Sequence, residues 1–556
     1  MSLDSPLETA MQERPWLKTY REFGIPPEVG PEAHTTVTAM LEAAMVRHAD
    51  RPAFRFAGQT LRYADVDRLS RDFAAWLQSQ GVRAGDRVAV MLPNVLAFPV
   101  AMLGILRAGA VQVNVNPLYT PRELEHQLLD AGVETLVVFN GSTATLGQVL
   151  GRTGLRRVIT VGFGLASAAS PGDPPVHASV VGEGTIALGD ALARGASLPF
   201  TPVPLGRDDL IFLQYTGGTT GVSKGAALTH GNLLANRAQF ALFMPDAMRE
   251  GEEVVVTAIP LYHIFALMVN FITYASIGAE NWLVPNPRDM DAFVGVLQQA
   301  RPTVITGVNT LYAGLVQHPG LRNVDWSRLR LSVGGGAAIV PTVSSRWQQV
   351  TGRFIREGYG LSETSPVASF NPAAVAGFTG TTGLPMPSTD IRLLDDAGCD
   401  VAEGEAGEVC IRGPQVMRGY WGRPEADVSA FTGDGYFRTG DVGVFDARGF
   451  LKIVDRKKDM IVVSGFNVYP NEVEAVASAC PGVSECACVG VPDEKSGEAV
   501  CLVVVRLPAA SLTEAQVVAH CRSGLAGYKL PKVVRFVDAL PKSTVGKVLR
   551  RELRVA

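Results

Sequence analysis

Residues 215–225 read YTGGTTGVSKG, packing four glycines, three threonines and Lys224 into one short stretch. Backbone amides of such a loop can come close to phosphate oxygens, the hydroxyls can donate to them, and the lysine adds a compact positive charge. The stretch follows an apolar strand expected at 210–213, and Thr216, Gly217, Gly218, Thr219, Thr220, Gly221 and Lys224 are candidates to cradle a polyphosphate. It is not a Walker A loop, which has glycine directly before the lysine and Ser/Thr directly after it, because Lys224 lies between Ser223 and Gly225. The competing interpretation is a Gly/Thr-rich surface turn.

Other residues of chemical interest sit in equally compact strings: His263 in PLYHIFAL, Glu363 in GYGLSETSP, Asp441 in RTGDVG, Arg456 in DRKKD and Lys547 in PKSTVGKVLRREL. Taken one at a time, each has an ordinary explanation. Glu363 would be a solvated carboxylate after a turn, Asp441 a helix cap, Arg456 half of a surface ion pair, and His263 a satisfied core histidine. Lys547 would be one more exposed cation in a tail that also carries Lys542, Arg550 and Arg551.

Their order along the chain argues otherwise. The strings at 215–225, 358–366, 438–443, 449–474 and 540–553 together resemble, in sequence order, the superfamily of acyl-CoA synthetases, luciferases and nonribosomal-peptide adenylation domains. NVNPLYTPRELEHQL, PLYHIFAL, ITGVNTLY and GPQVMRGYW are similar to bacterial long-chain fatty-acid CoA ligases in particular. The resemblance implies ATP, magnesium and coenzyme A as the small molecules handled, with a fatty acid as the second substrate. It implies an acyl-adenylate made with loss of pyrophosphate, then attacked by the thiol of coenzyme A with release of AMP.

The resemblance also distributes roles. Lys547 would reach the α-phosphate and the acyl carboxylate as the catalytic lysine, and His263 would border the acyl site. Glu363, with Thr216, would hold magnesium, a hard cation that prefers oxygen ligands. Tyr359, between Gly358 and Gly360, would lie against adenine, Gly335, Gly336 and Ala337 would let backbone approach the base, and Ser362 would bind the α-phosphate where the family more often has threonine. Asp441 would accept from the ribose hydroxyls, with Arg456 on the same side. Asp455 would be a hinge, and Lys458, Ser464, Gly465 and Phe466 would face coenzyme A after a rotation.

The elements that must position these groups are legible from patterning. Over much of the first 450 residues, amphipathic helices alternate with short apolar runs, the pattern of sheets covered by helices. Val66, Leu69, Phe73, Trp76 and Leu77 share a helix face, Gly81 stops it, and 87–92 returns as a strand. Thr120, Pro121 and Glu123 form a capping box with proline at the first helical position, and a strand follows at 135–139. Residues 164–200, rich in Ala, Gly, Ser and Pro, read as a surface excursion. The run at 264–279 is apolar, too short for a typical span and interrupted by Asn270, so a buried helix is expected. After the charged DRKKD string the texture changes to a helix opened by Asn471 and short strands at 487–491 and 500–505. The fold class expected is α/β: a large N-terminal adenylation and acyl-binding domain of layered sheets, 1–454, and a small mobile α+β C-terminal domain, 455–556.

Composition narrows the partners. A formal net charge of -4 with 19% charged residues provides no field for a polyanion, so nucleic acid is not expected. The seven cysteines are odd in number, confined to the last third and without a C-x-x-C pair, as for reduced structural thiols. No basic start followed by an apolar stretch opens the sequence, so a cytoplasmic location is expected, with peripheral membrane contact and a homodimer left open. Three alternatives remain: a medium-chain or aryl-acid CoA ligase, an acyl-AMP ligase loading a carrier protein, and a non-catalytic lipid-binding protein. Chain-length profiles, dependence on free CoA and pyrophosphate release separate them.

Overall fold

The computed structural model describes residues 14–166, 172–216, 223–464, 466–508, 510–543 and 546–554. Two large sheets dominate the architecture. The first has seven strands in the order Thr185–Ala187, Arg157–Val161, Thr135–Phe139, Arg87–Met91, Val111–Asn114, Leu210–Thr216 and Lys224–Thr229. All neighbours run parallel except the last pair, which forms an antiparallel hairpin. The second has nine strands, with Val254–Thr257, Val304–Gly307, Leu331–Gly334 and Arg356–Gly360 side by side and parallel at its centre. Strands Asp390–Leu394, Gly407–Arg412, Phe437–Phe445 and Leu451–Arg456 make a third, antiparallel sheet. A five-stranded sheet with helices Pro470–Ala477 and Glu514–Arg522 completes the C-terminal part. The expected α/β class, a large body with a smaller α+β body after it, is what these sheets form.

Local signals decide many boundaries. The Thr120 hydroxyl accepts from the Glu123 N–H, the Glu123 carboxylate accepts from the Thr120 N–H, and Pro121 opens the helix Pro121–Asp130, as the capping box predicts. Gly81 ends the preceding helix region with φ +81°. The apolar run at 264–279 contains the π-helix Ala266–Thr273, every residue of which is buried. Asn270 is tolerated inside it because its amide donates to the hydroxyls of Thr257 and Thr306 at 3.0 and 2.9 Å. Among the described residues no helix is long and apolar enough to cross a membrane. All seven cysteines are free, and only Cys399 is exposed.

Three expectations need correction. Residues 164–200 are not wholly a surface excursion: Thr185–Ala187 is an edge strand, and helix Leu188–Gly195 buries Leu188, Ala191, Leu192 and Gly195. A Cβ on Gly195 would collide with the Asp72 carbonyl, so the helix approaches its neighbour closely through small residues that carry little hydrophobic signal. The C-terminal strands are longer than expected, Val483–Asp493 and Gly497–Arg506, and they pair as one hairpin. Polar residues near the starts of the two strands, Ser484, Glu485 and Glu498 among them, interrupt the apolar runs and hid their true length. Asn471 does not cap its helix, which begins at Pro470. The Asn471 N–H is instead accepted by Asp455 Oδ2 at 2.8 Å, sixteen residues upstream.

Buried amides tie the two large sheets together where the site lies. Asn94, just past strand Arg87–Met91, donates to the carbonyls of Thr257, Ile259 and Val284, each at 3.1 Å, and accepts from the Leu261 N–H at 2.8 Å. Gln214 of the seven-stranded sheet donates to the Tyr262 carbonyl at 3.0 Å. These bonds leave the backbone before His263 little freedom.

Trp347 on helix Pro341–Thr351 is fully buried, its indole N–H donates to Ser332 Oγ at 2.9 Å, and the rings of Tyr312 and Trp326 lie 5.0 and 5.2 Å away. Trp347→Ala leaves a cavity and an unpaired hydroxyl, so urea unfolding of the large body is expected to show a loss of about 3–5 kcal/mol. A loss below about 1 kcal/mol would contradict this packing.

Candidate active site

The hairpin Leu210–Thr216 and Lys224–Thr229 pairs Thr216 with Lys224 at the end that carries its connecting loop. Gly217, Gly218, Thr219, Thr220 and Gly221, between these two partners, lie outside the described residues. Residues 418–421 run along the outer hairpin strand, with the Ala227 N–H donating to Gly419 O at 2.9 Å and the Trp421 N–H to Gly225 O at 2.8 Å. That pairing delivers Tyr420. Its ring centroid is 5.1 Å from Lys224 Nζ, and its hydroxyl donates to Glu363 Oε1 at 2.8 Å.

Glu363 is buried at 6% exposure, and burial raises its pKa, offset in part by the Tyr420 hydrogen bond. A desolvated carboxylate with a phenol on one oxygen keeps its other oxygen for a hard cation. Among the described residues no three His, Cys, Asp or Glu side chains gather as a metal cage. A magnesium ion brought in with a polyphosphate fits this setting, since it takes most of its ligands from phosphate and water.

The strand Arg356–Gly360 supplies the neighbouring wall. A Cβ on Gly360 would strike the Pro366 carbonyl and one on Gly358 the Phe370 ring, so both glycines are demanded by packing. Beyond Leu331–Gly334, Gly335 is buried, Gly336 has φ +76°, and Ala337 is exposed, a turn at the carboxyl end of a parallel strand. The buried Glu357 carboxyl, pushed up to about 8 by burial, accepts the Ile339 N–H at 3.2 Å and braces this turn. Ser362 is half-buried at the start of the short turn Ser362–Thr364.

Tyr359 donates its hydroxyl to Asp441 Oδ2 at 2.7 Å, and Arg456 Nε lies 3.2 Å from Asp441 Oδ1. Asp441 and Arg456 are cross-strand partners, which explains their fifteen-residue spacing. The phenol is driven well above its ordinary range, by burial first and by Asp441 second. Each Asp441 oxygen has lone pairs left, so hydroxyl donors can still be accepted.

Lys547 enters from the C-terminal part. The Lys547 N–H donates to Ser543 Oγ at 3.1 Å, the Ser543 N–H donates to Lys547 O at 2.7 Å, and the Gly546 carbonyl accepts from Thr310 Oγ1 of the large body at 3.3 Å. Burial and the nearby guanidiniums of Arg456 and Arg550 bring the Lys547 pKa down to about 8, with Asp441 and Asp459 opposing. His263 is likewise lowered to about 4, by burial and by Lys547. It is therefore neutral near pH 7. Its Nδ1 accepts the Phe265 N–H at 3.3 Å, which leaves the proton on Nε2.

The structure thus brings His263, Tyr359, Glu363, Asp441, Arg456 and Lys547 into one electrostatically coupled cluster. Asp455 is buried beside it, and Lys458 lies exposed at its edge, its pKa lowered by partial desolvation and by Arg456. Two expected residues stand apart from the cluster. Ser464, with φ +51°, donates its N–H to Ser496 O at 2.8 Å, and Phe466 is 58% exposed against the Tyr528 ring at 5.0 Å. Gly465 lies outside the described residues. Tyr420 and Glu357 escaped the sequence reading. An aromatic beside Trp421 reads as core, and a glutamate before Gly358 carries no pattern of its own.

A profile described as "AMP-binding enzyme" matches residues 41–421, and one described as "AMP-binding enzyme C-terminal domain" matches 472–547. The chain belongs to the AMP-binding enzyme family. Within that family it is 46% identical over 553 residues to a long-chain-fatty-acid–CoA ligase of Escherichia coli O157:H7, covering 97% of each chain. Among solved structures it is similar to the anthranilate CoA ligase AuaEII in complex with anthranoyl-AMP, with a TM-score of 0.85 and 26% identity, covering 94% of this chain and 98% of that one. ATP-bound MatB from Rhodopseudomonas palustris gives a TM-score of 0.82 at 33% identity over 94% of this chain and 98% of that one. In this member of the family the ionisable Lys547 lies amid His263, Asp441 and Arg456.

If the Lys547 ammonium is the working form, it is present below its pKa of about 8 and lost above it. Pyrophosphate release measured from pH 6 to 10 should fall along an alkaline limb near pH 8. In Lys547→Arg the limb should vanish, because a guanidinium stays charged throughout, even though the rate is lower. A wild-type limb near pH 10.5 would refute the depressed value.

Proposed function

We propose that this AMP-binding enzyme is an ATP-dependent long-chain fatty acid:CoA ligase that works through an acyl-adenylate. The observation that carries the reading is the half-buried Lys547 ammonium, held by its turn against Thr310 of the large body, beside Asp441, Arg456 and neutral His263. The substrate class is supported by the 46% identical relative, a long-chain-fatty-acid–CoA ligase.

Joining two anions requires cations where negative charge builds up. Lys547 faces the α-phosphate and the fatty carboxylate, and a unit charge about 4 Å away in a partly shielded site is worth roughly 4 kcal/mol. Lys224 and the hydroxyls of the 215–225 stretch hold the phosphate tail, Ser362 binds the α-phosphate, Tyr359 flanks adenine beside Gly335, Gly336 and Ala337, and Asp441 with Arg456 holds the ribose. Glu363 and Thr216 would hold magnesium, which neutralises phosphate charge when bound. His263 offers a neutral Nε2–H donor at the acyl side. The contact of Gly546 with Thr310 closes the site against water while the anhydride forms.

The second half-reaction needs the lysine withdrawn and a thiol admitted. We assign residues 1–454 and 455–556 to two bodies pivoting at Asp455. Rotation would bring Lys458, Ser464, Gly465 and Phe466 to coenzyme A, and the exposure of Phe466 suits a surface that awaits a partner. Delivery of the acid from a bilayer surface belongs to the same reading and calls for no spanning helix.

With acids of graded chain length, coupled AMP release should require CoA and be greatest for long-chain acids. A maximum at aryl acids, or turnover only with a carrier protein, would replace the reading. Lys547→Ala should reduce acyl-adenylate formation by at least about a thousandfold, while thioester formation from supplied acyl-adenylate stays within a few-fold. Equal loss in both halves would remove the alternation assignment.

A further inference from the structure

Three residues beyond Lys547, Arg550 occupies a place that the proposed chemistry does not use. Its Nη1 lies 3.2 Å from Asp455 Oδ1, its Nη2 lies 2.9 and 2.8 Å from the two Glu474 oxygens, and Nη2 also donates to Asn471 Oδ1 at 2.5 Å. Nε reaches Glu474 Oε1 at 3.2 Å, and Asp459 stands 3.8 Å away. The partners are themselves anchored. Asp455 is fully buried and accepts the N–H groups of Arg456 and Asn471, each at 2.8 Å, and Glu474 Oε1 accepts the Cys488 N–H at 2.7 Å. One guanidinium therefore joins the end of strand Leu451–Arg456, helix Pro470–Ala477 and the segment that carries Lys547.

We propose that Arg550 is a positioning residue for adenylate formation, its guanidinium fork fastening the Lys547 segment to the pivot Asp455 and to Glu474 so that lysine and pivot move as one piece. This rests on the assignment of Lys547 under the proposed function. Among the described residues, the Lys542–Glu485 pair at 2.7 Å and the buried Leu540 and Leu553 hold that segment to its own sheet, and Arg554, 3.1 Å from Asp459 and 3.4 Å from the Lys458 carbonyl, reaches the exposed turn after Asp455, whereas Arg550 meets the buried Asp455 itself. A planar fork that engages Glu474 with two donors and Asp455 with a third sets direction as well as charge, which a lysine at 550 cannot reproduce.

The test uses the full-length enzyme and three variants, Arg550→Lys, Arg550→Gln and Lys547→Ala, with exposed Arg551→Gln as control. Arg550→Lys retains a cation against Asp455 and Glu474, and it guards against simple unfolding. It should lower the adenylation kcat about 100-fold, the cost of an ångström-scale misplacement, with KM for ATP and thioester formation from supplied acyl-adenylate both within about threefold. Arg550→Gln should in addition move the alkaline limb above pH 8, because Arg550 and Arg456 push the lysine proton off while Asp441 and Asp459 hold it and His263 is neutral. Arg551→Gln should leave both half-reactions unchanged. Adenylation by Arg550→Lys within threefold of wild type, or a parallel fall of both half-reactions with melting temperature, would overturn the proposal. If Lys547→Ala also adenylates normally, the proposed function falls with it, whereas an inactive Lys547→Ala beside a normal Arg550→Lys removes only the positioning role.

Discussion

A lysine ammonium half withdrawn from water beside a paired aspartate and arginine is the constraint around which this protein is organised. Desolvation lowers the Lys547 pKa, and the two neighbouring guanidiniums work in the same direction against the carboxylates of Asp441 and Asp459. The result is a cation held near its titration point, strongly attractive to any anion placed beside it. Asp441 draws it in and Arg456 repels it, and those two side chains are themselves paired at 3.2 Å.

The surrounding architecture supplies rigidity where that encounter demands it. Gln214 and Asn94 cross between the two large sheets and pin the backbone that leads to His263. Tyr420 joins the hairpin Leu210–Thr216 and Lys224–Thr229 to Glu363, so the base of its connecting loop and the buried carboxylate share one support. Strand pairing sets Asp441 opposite Arg456, and Tyr359 reaches them from a different sheet. Three sheets thus converge on one small volume, Tyr359, Asp441 and Arg456 from paired strands and Lys224 from the loop end of the hairpin, and a C-terminal turn adds Lys547.

Much of the local structure was legible beforehand because it is governed by short-range rules. Thr120, Pro121 and Glu123 announce their helix through hydrogen bonds within four residues, and the buried helix around Asn270 follows from a continuous apolar run. The same reading failed where the decisive partner is distant. Helix Leu188–Gly195 packs through glycine and alanine against a segment more than a hundred residues away, and Asp455 serves a helix start from sixteen residues upstream. Glu363 meets Tyr420 across 57 positions and Tyr359 meets Asp441 across 82, separations over which spacing conveys nothing.

What the sequence determined by itself is the inventory and the local geometry: which hydroxyls, carboxylates and cations are present, which turns require glycine, and which strings recur together in one family. Those properties depend on covalent structure and on neighbours along the chain. The tertiary structure alone decided the protonation states and the couplings. His263 is neutral, the Lys547 pKa is brought down to about 8, and Arg550 is bound to the buried Asp455. Desolvation and Coulomb interaction sum over every atom nearby in space, and only folding brings those atoms within range.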